Sequence, residues 1–414
     1  MDIPAVIASS HSSIDEVPAA AWNALELGGV PFLRHEFLAA LEHAGCVGPG
    51  TGWTPCHVTV AHGTELVGAM PLYRKTHSWG EFVFDFSWAQ AYARHGERYY
   101  PKLVSATPFT PATGPRLLLR AATTGDAKPP GATALASADA VRRALLGAAQ
   151  AGEPQASSLH LQFATAEEAR WLTAHGALAR IDCQFHWENS RPTADGATTR
   201  YLDFEDFLAG FTAEKRKKAR RERRRVLEAG IGFQWCSGAE LDAAEWQSVY
   251  ALHADTFHRH GHEPYLSLAF FTELSRTLPG ALEVLRARRG RSVVATAIFF
   301  RGADALYGRY WGASGDFNSL HFETCYHQGI EYCIGTGLAR FEPGTQGEHK
   351  LARGFRPTLT HSAHFIREPR FAAAIGRFLE EERAAVRAYA LAAGEHVPFR
   401  SDVMAPLRLE SPAP

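Results

Sequence analysis

With 414 residues the chain is too long for one ordinary hydrophobic core, so two domains are the natural expectation. A hydrophobic share of 46% and a charged share of 21% exclude a disordered or membrane-embedded class, and a formal net charge of −1 excludes a molecule-wide attraction to nucleic acid or lipid. No apolar run reaches the roughly 20 residues needed to cross a bilayer. The opening MDIPAVIASSHSSIDEV lacks the basic start and apolar run of a secretion signal, so a cytoplasmic location is expected. The six cysteines are scattered without a CxxC pair, which reads as reduced thiols and no metal site.

In chain order, residues 31–41 carry apolar positions at helical spacing. His62 and Gly63 then join two strand-like runs in a hairpin pattern. An aromatic stretch covers 79–100, followed by a Gly/Ala/Pro/Thr-rich loop over 121–134. Helices are predicted over 138–149 and 166–174, and strands over 158–163 and 181–187. The polar segment 189–200 is the linker candidate, which divides the chain into domains at 1–195 and 196–400 with a loose tail at 401–414.

The second half repeats the first. Residues 264–274 match 31–41, and the hairpin around Arg289 and Gly290 matches that around His62 and Gly63. A helix over 241–258 precedes this hairpin, a strand over 305–311 follows it, and a loop over 312–319 enters a helix. Phe322, Cys325, Tyr326, Ile330, Cys333 and Ile334 form its apolar face, Asn318 or Ser319 is available as its N-cap, and Gly335 and Gly337 can end it. Short strands are predicted at 338–341 and 361–366, and a last helix over 371–393. Antiparallel strands joined by a crossover helix predict an α/β fold with a mixed (α+β) sheet, built twice.

Four groups of residues could carry chemistry. Nine of the eleven residues from Lys215 to Arg225 are basic, on a helix expected over 212–229. Like charges four residues apart repel, so this is either a solvated face balanced by Glu214, Glu222 and Glu228 or a phosphate-binding surface with Lys215, Arg216, Lys218 and Arg220 as contacts. The segment 342–355 holds three glycines with Glu348, His349, Lys350 and Arg353, which brings together a base, a titratable ring and two cations. Glu323, His327 and Glu331 recur at helical spacing opposite the apolar stripe, with His321 at the start, and either line a cleft or face water. In the aromatic band, Asp85, Gln90 and Lys102 are the polar members able to contact an acceptor. The run from His258 to Glu263 reads as a histidine-rich loop.

The strings GRYWGAS, LHFETCYHQGIEY and GTQGEHKLARGF, together with WGEFVFDFSWAQAY, YYPKL and PFTPATGPRLL, resemble the FemAB-like N-acyltransferases of bacteria over nearly the whole chain. The resemblance implies two tandem GNAT-type domains. It implies a phosphate-bearing co-substrate, acyl-CoA or aminoacyl-tRNA, with no tightly bound cofactor. The partners it implies are an amine-bearing small molecule or peptide as acceptor, and tRNA as a carrier. Two features of relatives are not matched: the long helical arm of some Fem proteins, and the Q/RxxGxG/A acetyl-CoA loop of ordinary GNAT enzymes. On this reading Glu348 or His349 takes the amine proton, and Lys350 or glycine-loop amides meet the oxyanion. Arg309, Trp311, His321, Glu323 and Arg353 line the site. Asp85, Trp88, Tyr92 and Lys102 are expected to reach it from the first domain. The alternative is a non-catalytic RNA- or nucleotide-binding protein on a degenerate acyltransferase fold.

Overall fold

The computed structural model describes residues 6–121, 137–193, 197–345, 347–401 and 409, so most of the Gly/Ala/Pro/Thr-rich loop and of the tail lies outside the described residues. The chain forms two compact units, one of residues 1–181 with 360–383 and the other of 182–359 with 384–412. The single boundary expected near residue 195 is therefore replaced by three crossings, because a strand, a second strand and the last helix each pass from one unit to the other. The expected linker instead contains a small hairpin, Arg191–Pro192 with Thr198–Thr199.

In the first unit, helix α1 (His35–His43) is followed by strands β2 (His57–His62) and β3 (Glu65–Met70), which form an antiparallel sheet with β1 (Val6–His11). A second sheet carries β4 (Lys102–Ser105) parallel to β5 (Ser158–Ala164), flanked by Tyr73–Lys75 on one side. Helix α2 (Phe86–Arg94) lies in the aromatic stretch. The predicted helix at 138–149 spans Ala138–Gly152, where Ser137 accepts from the amide of Ala140 and fixes its start.

Strand β6 (Leu178–Glu188) leads into the second unit. There the basic helix α3 (Ala213–Glu228) precedes β7 (Ile231–Ser237), and α4 (Ala243–Arg259) and α5 (Leu268–Thr277) precede strands β8 (Leu282–Arg289), β9 (Ser292–Arg301) and β10 (Ala305–Ala313). The strands β7 to β10 are antiparallel neighbours. A helix then crosses over, and β11 (Arg340–Glu342) returns parallel to Ala305–Tyr307 of β10, with Trp187 and Glu188 of β6 on its other side. Strand β12 (Arg356–Ile366) and helix Pro369–Gly394 complete the chain.

The repeat is visible in hydrogen-bond register. Gly63 and Gly290, with φ of 63° and 60°, open the two-residue turns of both hairpins, the position where an L side chain is disfavoured. One extra residue bulges from each returning strand, Val67 in the first hairpin and Val294 in the second, at the same distance from its turn. The correspondence reaches further back than the sequence reading placed it. Ser13 and Ser237 cap equivalent short turns, and Trp22 and Trp246, six residues after Glu16 and Glu240, are both buried with their indole N–H on a backbone carbonyl. The shared pattern of a glutamate, paired alanines and a tryptophan is the signal that marks it.

Candidate functional site

The crossover helix of the second unit is not uniform. Leu320–Phe322 is α-helical, Glu323–His327 forms a π-helical turn, and Gln328–Thr336 is α-helical again, closed by Gly337 at a φ of 73°. Ser319 precedes it at a φ of 66°, and its hydroxyl bonds Asn318 rather than a helix amide, so the expected capping bond is not made. A π-turn inserts one residue and rotates the following side chains, a device frequent at functional sites. Here Glu323 and His327 are both buried.

The basic helix packs on this turn through residues that interrupt its positive run. Ala219, Glu222 and Val226 form its buried stripe. Glu222 accepts from Arg353 at 2.9 Å and lies 3.6 Å from His327 Nε2. Burial pushes the Glu222 carboxyl up, but the adjacent His327 ring and the Arg353 charge outweigh it and hold it below its usual range. Arg223 bridges Glu323 at 3.1 Å and Glu331 at 2.5 Å, and lies over the Phe204 ring. Glu323 and His327 thus pair with α3 and not with each other. Glu222 and Arg223 are functional candidates that sequence reasoning passed over, although the spacing from Ala219 to Val226 marks the inward face.

Of the cations predicted to hold phosphate, Lys218 and Arg220 are exposed, while Lys215 and Arg216 are half-buried. Arg220 is held by Glu205 at 2.5 Å and Arg216 reaches the Ala209 carbonyl. Lys217, Arg221 and Arg225 extend the exposed face.

The glycine segment leads into a short 3₁₀ helix, Glu348–Arg353, entered and left by Gly347 at a φ of 100° and Gly354 at 87°. Glu348 is exposed and accepts from the Tyr389 hydroxyl at 2.8 Å. His349 is exposed, with Nε2 hydrogen-bonded to the Tyr326 hydroxyl at 2.8 Å and its ring near Phe322. Partial burial and then the charges of Lys350 and Arg353 lower its pKa, so the neutral ring is favoured. His321 sits among Trp311, Tyr326 and His349, and burial pushes it down to about 4. Arg353 is buried, stacks 3.4 Å over Phe322 and donates to the His349 carbonyl at 2.7 Å, which fixes the backbone of the histidine.

Lys350 is buried and donates to the Gly344 carbonyl at 2.5 Å. Burial first and the neighbouring Arg309 second lower its pKa to about 7. Arg309 lies on β10 just past the last residue paired with β11, and bonds the Gly308 carbonyl at 2.9 Å. A buried lysine and a half-buried arginine therefore share the end of the parallel strand pair, an arrangement that favours an anion.

The first-unit residues form a separate cluster. Lys102 is fully buried and donates to Ser78 at 2.8 Å, to Glu81 at 2.9 Å and to Asp85. Tyr99 donates to Asp85 at 2.5 Å, and Gln162 to Glu81 at 2.6 Å. Trp88 and Tyr92 are buried, Trp88 against His364 and Tyr92 stacked on Phe371. Lys102, Asp85 and Tyr99 thus spend their polar atoms within the cluster, whereas Trp88 Nε1, Tyr92 OH and Glu81 Oε1 are buried without a hydrogen-bond partner among the described residues.

A family model, FemAB-like, described as peptidoglycan biosynthesis/recognition, matches residues 13–401. The chain belongs to the FemAB-like family. No curated protein matches it in sequence. Among solved structures, the FemAB-like chain is similar to FemX, at 11% identity and a TM-score of 0.49 over 89% of this chain and 100% of that one. It is also similar to L-PGS from Bacillus licheniformis, at 10% identity and 0.45 over 84% and 96%, and to a tandem GNAT protein from the clavulanic acid biosynthesis pathway, at 13% and 0.43 over 87% and 98%. The fold is mixed α/β in two compact units, each carrying the same bulged hairpin. No helix among the described residues is long and apolar enough to cross a membrane.

Proposed function

We propose that this FemAB-like chain is an N-acyltransferase, moving an acyl or aminoacyl group from a phosphate-bearing carrier to an amine by direct attack. The observation that carries the reading is the segment Glu348–Arg353. It sets an exposed histidine with a lowered pKa one residue from a buried lysine that has no carboxylate partner among its described contacts. His349, oriented by Tyr326 and by the Arg353 hold on its carbonyl, takes a proton from the acceptor ammonium, so that the neutral amine attacks the acyl carbon and the carrier leaves as its thiol or hydroxyl on taking up a proton. Glu348 is the second group in reach for that role. Lys350 and the amides of the glycine segment stabilise the oxyanion, a contribution of about 3–4 kcal/mol per donor in comparable sites. The exposed cations of α3 hold carrier phosphates. Acyl-CoA and aminoacyl-tRNA both supply such phosphates in the cytoplasm, and the peptidoglycan description of the family favours a peptide amine as acceptor.

The test is transfer assayed with each donor in single Glu348→Ala and His349→Ala variants. Loss in either, with an unchanged melting temperature, supports the assignment, and full activity in both rejects it. Thermal shifts with coenzyme A, an acyl-CoA and an aminoacyl-tRNA identify the carrier, since a ligand selective for the folded state raises its melting point. Steeply salt-dependent RNA binding with no product from any donor would favour a non-catalytic RNA-binding protein instead.

A further inference from the structure

One loop of the first unit is held from below and presents rings above. Within residues 78–86 the polar Ser78, Glu81 and Asp85 are buried, while Trp79 and Phe84 are exposed and Phe86 is half-buried. Ser78, Glu81 and Asp85 point down onto the buried Lys102 ammonium. The Trp79 carbonyl is held by Lys75 Nζ and by Trp53 Nε1, each at 3.2 Å, and the Phe84 carbonyl by Arg180 at 2.8 Å. Gly80 and Phe82 sit in the left-handed region, at φ of 80° and 59°. A Cβ at position 80 would stand 2.6 Å from the Phe109 ring. A non-glycine residue in that region is strained and persists only where its surroundings over-determine it.

The product of that strain is a row of rings. Trp79 is 56% and Phe84 57% exposed, with half-buried Phe86 between them. The centroid spacings are 5.4 Å from Trp79 to Phe86 and 5.8 Å from Phe86 to Phe84, the latter pair stacked at 20°. More than half of each outer ring residue is open to solvent while the rest rests on the protein, which leaves ring surface for a ligand to stack on. Ser87, Gln90 and Arg94 continue from Phe86 along helix α2, all exposed, and add a hydroxyl, an amide and one cation beside the rings.

We infer that the row Trp79, Phe86 and Phe84 is a saccharide-binding platform, on which sugar rings of a neutral amino-sugar glycan stack while Ser87 and Gln90 bond their hydroxyl and amide groups. Aromatic faces suit the apolar face of a sugar ring, and rigid rings cost little ordering entropy on binding. The charge pattern argues against a polyanion, since the face lacks the run of cations found at 215–225. The amino-sugar class rests on the peptidoglycan description of the family and not on the transfer chemistry, so a His349→Ala variant should bind as the unaltered protein does.

The test is calorimetric titration of the full chain with chitotetraose, a neutral oligomer of N-acetylglucosamine, alongside AMP and anionic phospholipid vesicles. Saturable chitotetraose binding, weakened at least about tenfold in Trp79→Ala and in Phe84→Ala at an unchanged melting temperature, supports the platform. Gln90→Ala should lose a factor of about three to ten, one neutral hydrogen bond. Unchanged affinity in both ring variants overturns it, as does AMP or vesicle binding in place of chitotetraose, or no binding of chitotetraose to the unaltered chain.

Discussion

Each unit buries a lysine completely, and the two are pushed in opposite directions. Burial alone would lower both. At Lys102 the carboxylates of Glu81 and Asp85 outweigh it, and the pKa is raised. At Lys350 the neighbour is Arg309 and the hydrogen-bond partner a backbone carbonyl, so the pKa falls to about 7. Burial sets how strongly charges are felt, and the sign comes from the partners. The first cluster is closed, with each charge answered inside the protein. The second sets a lysine held by a backbone carbonyl beside another cation and an exposed histidine, the condition expected of a site that takes an anion.

The largest break in this comparison should come from Lys102→Met. It leaves Asp85 and Glu81 buried without their cation and should cost about 3–5 kcal/mol in denaturant unfolding. A loss under about 1 kcal/mol would show that the cluster does not hold the first unit together. Lys350→Met should do the reverse. Transfer should fall about 10²–10³-fold, as for removal of an oxyanion donor, while the fold becomes more stable because a strained buried cation is gone.

The pH dependence sharpens the contrast. Between about 7 and the ordinary lysine range near 10.5 the unfolded chain holds a proton at position 350 that the folded chain has released. Stability should therefore rise with pH across that window, and less steeply in Lys350→Met. Lys75, also lowered to about 7 by burial, adds to the rise and should flatten it further when changed to Met. Lys102 behaves oppositely: its raised pKa contributes stability that is complete below 10.5 and lost as pH climbs through the folded value. Melting temperatures from pH 6 to 10 in the single and paired variants measure both slopes.

Arg223→Ala should have a smaller effect, about 1–3 kcal/mol, because buried Glu323 keeps Gln328 as a second partner at 2.8 Å. The smallest changes belong to the exposed face of α3. Lys218→Ala and Arg221→Ala should leave stability within about 0.5 kcal/mol and reduce the salt slope of carrier binding by about one each.

How much of this was legible in the sequence follows the range of the interactions. The hairpins, their glycine turns and the helix after residue 320 depend on neighbours a few positions away, so periodicity and turn chemistry located them. The π-turn at Glu323–His327 was not visible, because an inserted residue shifts side-chain directions without changing composition. The same shift carried Glu323 and His327 away from each other and onto Glu222 and Arg223, some hundred positions distant.

By itself the sequence determined the mixed α/β class, the doubling of one plan and the concentration of positive charge on a single helix, since these follow from hydrophobic period, turn residues and composition. Only the tertiary structure decided which charges are answered. Lys102 and Lys350 are the same residue type at equal burial, and the long-range partners placed around each make one a structural cation and the other a candidate for chemistry.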